Sequence, residues 1–307
     1  HRDLHSFPTR RSSDLAERYG ETRHPRSGLS GYQYSRIEGD RAQLQFGPEF
    51  GDRAWEHAIL DQTRATRAFA VCGLCALELG ERLGTAGGRF VTLAAEDLRA
   101  WARAAYDPAG NTWQAVLRDG TRLGPEAVRR PGYYRPEMFL PYPAGPLWLW
   151  AYARAHRLTG DDEFGRTSGA IARGLGLGDW GSDRATAPAG IADPWLVMAL
   201  LEEHRRRPRP ELLRAAAAVG REVLRQREHR GLFVDRPRQR YARIGAPEPL
   251  VLLHLAAALQ GAPIDCVPSM LPGARYFTAG AWQRGRTSDY LEWFPQDSAC
   301  DRPVAGD

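Results

Sequence analysis

One stretch, Pro146–Trp180 (PLWLWAYARAHRLTGDDEFGRTSGAIARGLGLGDW), constrains the fold more than any other. Leu147, Trp150, Ala151, Arg154 and Ala155 recur at helical spacing. TGDD supplies a turn and an N-cap, and Phe164, Ala170, Ile171 and Leu175 continue the pattern on a second helix. The unit then repeats. A slide of 48 residues (194 − 146) lays Pro194–Leu224 on Pro146–Gly176 without a gap, matching Pro146/Pro194, Ala151/Ala199, His156/His204, Glu163/Glu211, Ala170/Ala218 and Arg173/Arg221. A third copy opens at Pro249–Leu250, and Thr66–Leu83 has the same length and texture. A repeat of this size predicts stacked helical hairpins, each burying an apolar stripe on its neighbours.

Composition supports a packed core and excludes two function classes. The chain is 43% hydrophobic, and no apolar run approaches the ~18 residues that would span a bilayer. The formal charge is +5, yet all 42 basic residues are Arg and 37 acidic residues are interspersed among them. That pattern reads as base-composition bias, without the clustered footprint of a nucleic-acid binder. The sharpest basic run, RRRPRP at Arg205–Pro210, falls where the preceding repeat has its turn and is read as a solvated turn. Cys72 and Cys75 have CxxC spacing inside an apolar helix with no second pair, and are read as core cysteines. Cys266 and Cys300 lie in a loop-rich tail.

His1–Leu15 contains HSFPTRRSSDL, which resembles a translated sequencing adapter of the kind seen in metagenomic contigs, and is set aside from fold reasoning. On that reading the natural chain begins upstream of Ala16. Residues 16–262 form the helical-hairpin domain and 263–307 an irregular extension packed on it. Within the domain, Ala16–Phe50 reads as short strands or an ordered loop, with Arg23-His24 solvent-exposed. Thr63–Leu83 is the first long helix, Thr92–Tyr106 its partner with Thr92 as N-cap, and Pro247–Leu259 the last helix. Asp119-Gly120 between VLR and TRL predicts a β-hairpin inside the long Asp107–Tyr142 connection. Connections of that length usually carry function.

These connections are rich in Tyr, Trp and Arg, including Trp113. Aromatic faces stack on the C–H faces of sugars and guanidinium forks grip carboxylates, so the pattern suits an acidic sugar chain. Substrate contacts are assigned to Tyr34, Arg36, Gln45, Arg64, Arg67, Tyr133, Tyr134, Asp193, Arg240, Arg243 and Glu248. Asp193 precedes Pro194 and has N-capping as its simpler role. Glu56, His57 and Asp61 are the candidate metal ligands. His156 and His204, equivalent in the repeat, are read as structural.

The segments GYQYS, DRAQLQFGPEFGDRAWE, PYPAGPLWLWAYARAHRLTGD, GLGLGD and HRGLFVDRPRQRYARIGAPEPLVLLHLAAALQG, in that order from Leu29 to Gly261, resemble the bacterial pectate lyases built on an α/α toroid. The resemblance implies an all-α toroid, here incomplete at its N-terminus, with short β-hairpin loops on one rim. It also implies cleavage of polygalacturonate or oligogalacturonides by β-elimination, with a divalent metal such as Ca or Mn and an arginine base. No residue of this chain is assigned as that base, which is expected upstream together with the family's metal ligands. Two alternatives stay open: a six-hairpin-type glycoside hydrolase acting on uronides, for which Asp193, Glu248 and Asp40 are the nominated acids, and a non-catalytic helical-repeat binding module.

Overall fold

The computed structural model describes residues 23–30, 65–129, 135–178, 189–234, 241–243, 246–263, 267–270, 282–283, 286–287 and 291–293. The chain forms two compact units, His1–Gly174 and Leu175–Asp307. The fold is mostly helical, as the repeat requires.

The described residues of unit 1 form two helical hairpins. α1 (Ala65–Arg82) and α2 (Gly88–Ala104) are joined by a 3-10 turn, Gly84–Gly87. A Cβ on Gly80 would meet the Val91 side chain, and one on Gly87 would stand 2.7 Å from Gly80 Cα, so the two helices touch backbone to backbone at their turn. Thr92 is not the N-cap of the second helix. It lies inside α2 with its hydroxyl donating to Gly88 O at 3.1 Å, because the glycine pair Gly87-Gly88 lets the helix begin a turn earlier.

The second hairpin pairs α3 (Pro146–Thr159) with α4 (Asp162–Gly174). Gly160 ends α3 in the left-handed conformation (φ +70°), and Asp161 Oδ1 caps α4 by accepting from Glu163 N at 2.8 Å. Every residue from Leu147 to Ala155 is buried. The expected apolar stripe is therefore a helix covered on all sides, as its Trp, Leu and Ala content permits. α3 packs on α1, α2 and α4.

Among the described residues, the connection between α2 and α3 carries five short strands: β1 (Tyr106–Asp107), β2 (Thr112–Trp113), β3 (Ala115–Val116), β4 (Arg122–Leu123) and β5 (Tyr142–Pro143). β1, β2 and β5 form one antiparallel sheet, β3 and β4 another. The Asp119-Gly120 turn forms as the sequence predicts, with Gly120 at φ +92° and Asp119 Oδ1 accepting from Thr121 N at 2.9 Å. Trp113 is core: it stacks on Trp148 of α3 at a centroid distance of 4.1 Å and is shut off from solvent. It ties the sheet to α3 and offers no face to a ligand.

Unit 2 repeats the hairpin in the predicted register. α5 (Pro194–Arg206) and α6 (Pro210–Arg227) begin 48 residues after α3 and α4 (194 − 146; 210 − 162). α7 (Glu248–Leu259) packs on both. The remaining strands among the described residues are β6 (Glu228–His229), β7 (Leu232–Phe233), β8 (Tyr241–Arg243), β9 (Trp282–Gln283), β10 (Arg286–Thr287) and β11 (Leu291–Trp293). They pair antiparallel as β6–β7, β8–β11 and β9–β10.

The equivalent histidines sit at equivalent turns. His204 Nδ1 meets Arg209 N and O at 3.1 and 3.0 Å, closing the α5–α6 turn. The His156 ring occupies the space that a side chain at Gly165 would need. Of the RRRPRP run, Arg205 to Pro208 are exposed, whereas Arg209 is buried beside Glu203.

Two further expectations are corrected. Cys72 is exposed and Cys75 half-buried on α1, so the pair is not core. Loss of solvation, with Glu78 adding, pushes the Cys75 thiol above its ordinary value, the opposite of a reactive or metal-binding cysteine. Arg23 is not solvent-exposed. Its guanidinium donates to Gly28 O (3.1 Å), Asp97 Oδ1 (2.7 Å) and Leu93 O (2.9 Å), strapping residues 23–30 to α2.

Candidate functional site

Antiparallel hairpins sort connections by length. In each unit the short turns, Leu83–Gly87, Gly160–Asp161 and Arg207–Arg209, lie at one end of the helices. The long connections therefore gather at the other end, where α1, α3, α5 and α7 start and α2, α4 and α6 finish. That end of each unit is the candidate site.

In unit 1 it consists of the first turn of α1, the β1–β2–β5 sheet and the last residues of α4. Asn111, at φ +48°, is the pivot. Its Oδ1 accepts from Tyr106 Oη at 2.8 Å and its backbone oxygen from Ala144 N at 2.8 Å, while its side chain covers Gly174 at the end of α4. Burial first, and Asp107 against an opposing Arg173, pushes the Tyr106 hydroxyl up to about 12, so it serves as a hydrogen-bond donor and not as a base. Arg67 lies in the first turn of α1 by its backbone. Tyr34, Arg36, Gln45, Arg64, Tyr133 and Tyr134 lie outside the described residues, as do Asp40 and the candidate metal set Glu56, His57 and Asp61.

In unit 2 the corresponding end collects Asp193, Gln226, Arg227, Glu248 and the β6–β7 hairpin. Gln226 Nε2 donates to Gly190 O at 3.0 Å, drawing the end of α6 to the approach of α5. Asp193 Oδ1 accepts from Trp195 N at 2.8 Å, which makes it the N-cap of α5, as its place before Pro194 suggests. Glu248, in the first turn of α7, is buried, and its Oε1 accepts from Arg227 Nη1 at 2.7 Å. Its carboxylate is thus turned to protein and not to a ligand. Arg227 was not singled out from the sequence, because nothing local distinguishes it among the arginines of α6. Its partner lies 21 residues further along, on a different helix. Arg243 pairs with Leu291 across β8 and β11 by its backbone, and Arg240 lies outside the described residues.

The opposite, short-turn end of unit 1 is a buried ion network. Arg154 bonds Glu78, and Glu81 at 2.6 Å, while Arg157 bonds Glu81 at 2.8 Å. Such a network joins α1 to α3. Among the described residues no group of three or more His, Cys, Asp or Glu could hold a metal ion. Of the acids nominated from the sequence, Asp193 and Glu248 are already engaged by a backbone N–H and by Arg227.

A sequence model of the family described as periplasmic pectate lyase matches residues 5–280. A pectate disaccharide-lyase of Dickeya dadantii (strain 3937) is 26% identical over 284 residues, a stretch that covers 85% of this chain and 49% of that protein. The chain spans about half the length of the curated relative it matches.

Proposed function

The chain belongs to the periplasmic pectate lyase family, and from that premise we propose that it acts on polygalacturonate by β-elimination, on hairpins that are segments of an α/α toroid. The family match over residues 5–280 carries the proposal. The 48-residue register of the hairpins and the all-round burial of Leu147–Ala155 on α3 support the toroid reading.

The reaction sets its own requirements. The proton at C5 of a uronate leaves to a base while negative charge spreads into the adjacent carboxylate. The C4–O bond then breaks, its electron pair leaving with O4, which takes up a proton, and a C4=C5 double bond remains. A cation beside the carboxylate stabilises the intermediate charge. Guanidinium groups suit that task, and the long connections of this chain are rich in them, Arg240 and Arg243 among them. A divalent metal, where the family uses one, supplies the same stabilisation. Among the described residues no group of His, Cys, Asp or Glu fits such a metal. Substrate contact by Tyr34, Arg36, Gln45, Arg64, Arg67, Tyr133, Tyr134, Arg240 and Arg243 is part of the proposal. Asp193 and Glu248 take the capping and ion-pair roles given above.

A glycoside hydrolase would need a carboxylate pair, or one general acid, free to face the scissile bond. The engagement of Asp193 and Glu248 elsewhere favours the lyase. The test incubates the chain with polygalacturonate, with Ca²⁺ or Mn²⁺ and with chelator, and follows the ultraviolet absorbance of the conjugated double bond. Absorbance growth is the expected result. New reducing ends without absorbance would establish hydrolysis, and binding without either would establish a binding module. Absence of binding and turnover alike would refute an acidic-polysaccharide role.

A further inference from the structure

We infer that Arg227 is a uronate-carboxylate ligand of the unit 2 site and that Glu248 is the residue that positions it. The inference rests on the polygalacturonate reading above.

Arg227 is unlike the other arginines of its helix. Arg214 and Arg225 pair with Glu211 and Glu222 one turn away on the same exposed face, an arrangement that decorates a surface. Arg227 instead reaches the carboxylate of Glu248, whose side chain is 2% exposed, while its own remains 25% exposed. Only one guanidinium nitrogen, Nη1, makes that bond. The Nε and Nη2 donors take no protein acceptor among the described residues, and they are not shut off from solvent.

Burying a carboxylate is costly, and a neutral side chain would pack the first turn of α7 at lower cost. What the carboxylate adds is direction. It holds one edge of the guanidinium fork and leaves donors on the far side available for a planar two-oxygen acceptor.

The location suits that acceptor. Arg227 is the last residue of α6, and its backbone oxygen accepts from Val234 N at 2.8 Å to close the β6–β7 hairpin. β7 lies beside β8, which carries Tyr241–Arg243, and the preceding Gln226 holds the approach to α5. The guanidinium therefore stands where the long connections of unit 2 gather. A uronate carboxylate is the planar anion that recurs along the proposed polymer.

The test titrates trigalacturonate and its methyl ester against the whole chain by calorimetry, for wild type, Arg227→Gln, Arg227→Lys and Glu248→Gln, with thermal unfolding recorded for each. Wild type is expected to prefer the acid. Arg227→Gln should lose on the order of tenfold in affinity for the acid and little for the ester, the fold-change a charge-assisted hydrogen bond commands. Arg227→Lys keeps the charge without the fork and should fall between the two. Glu248→Gln should weaken acid binding while the ester is unaffected, since the guanidinium loses its anchor and not its charge. A helix-to-helix staple with no ligand role would lower the unfolding temperature and leave the acid-to-ester ratio untouched. That unchanged ratio in a folded Arg227 variant, with wild type preferring the acid, overturns the inference alone. Wild type binding neither compound removes the polygalacturonate reading and this inference with it.

Discussion

Replacing Gly87 by Ala tests the backbone contact that sets the first hairpin. An added Cβ would stand 2.7 Å from Gly80 Cα, against the ~3.5–4.0 Å of an ordinary carbon–carbon contact, so α1 and α2 must separate by about 1 Å at their turn. Overpacking of this kind costs about 1–3 kcal/mol, and the upper part applies because the obstacle is backbone and cannot rotate away. Gly87 has φ −91°, a conformation alanine adopts freely, so the cost is steric and not conformational. The adjacent glycine is the control. A Cβ on Gly88 meets nothing within 4 Å, and its φ −52° and ψ −35° are helical. Gly88→Ala should therefore be neutral or stabilise by up to ~1 kcal/mol through the lower entropy of the unfolded chain. Urea unfolding followed by far-ultraviolet circular dichroism reads both, with Gly87→Ala moving to a lower midpoint and Gly88→Ala to an equal or higher one. Equal midpoints for the two variants would refute the reasoning.

Arg154→Met removes the buried cation shared by Glu78 and Glu81, which keep Arg82 and Arg157, and should cost about 1–3 kcal/mol, part of it regained when Glu78→Gln is added, as urea midpoints will report. Tyr106 titrates above its ordinary value, at about 12, so its contribution to stability is present below pH 10 and lost as pH rises toward 12. Tyr106→Phe should give a shallower alkaline loss of stability, and a profile parallel to wild type over that range would count against the assignment. Asp193→Ala should cost ~1 kcal/mol through the lost cap and leave oligogalacturonate affinity unchanged. A drop in affinity with the fold intact would return Asp193 to the substrate contacts.

The hairpins were legible because their signals are local and repeated. Pro at the first helical position, a capping Asp161 and a left-handed Gly160 each act within a few residues, and the 48-residue register showed that the pattern recurs. The Asp119-Gly120 turn was legible for the same reason. Thr92 misled because a capping residue is recognised by type, whereas the α2 start is decided by how closely Gly80 and Gly87 approach. Trp113 and Cys72 misled in opposite directions. An aromatic residue in a long connection looked available and is buried, and a cysteine in an apolar helix looked buried and is exposed.

By itself, then, the sequence determined which stretches are helical, how they pair into hairpins, and the family to which the chain is similar. These follow from periodicity, caps and residue order, which are properties of neighbours along the chain. Only the tertiary structure decided which charged groups meet. Arg23 with Asp97, Arg154 with Glu78, and Arg227 with Glu248 are separated by 74, 76 and 21 residues. An ion pair acts over a few ångströms of space, and no spacing rule along the chain reports which side chains the packing of helices will bring that close.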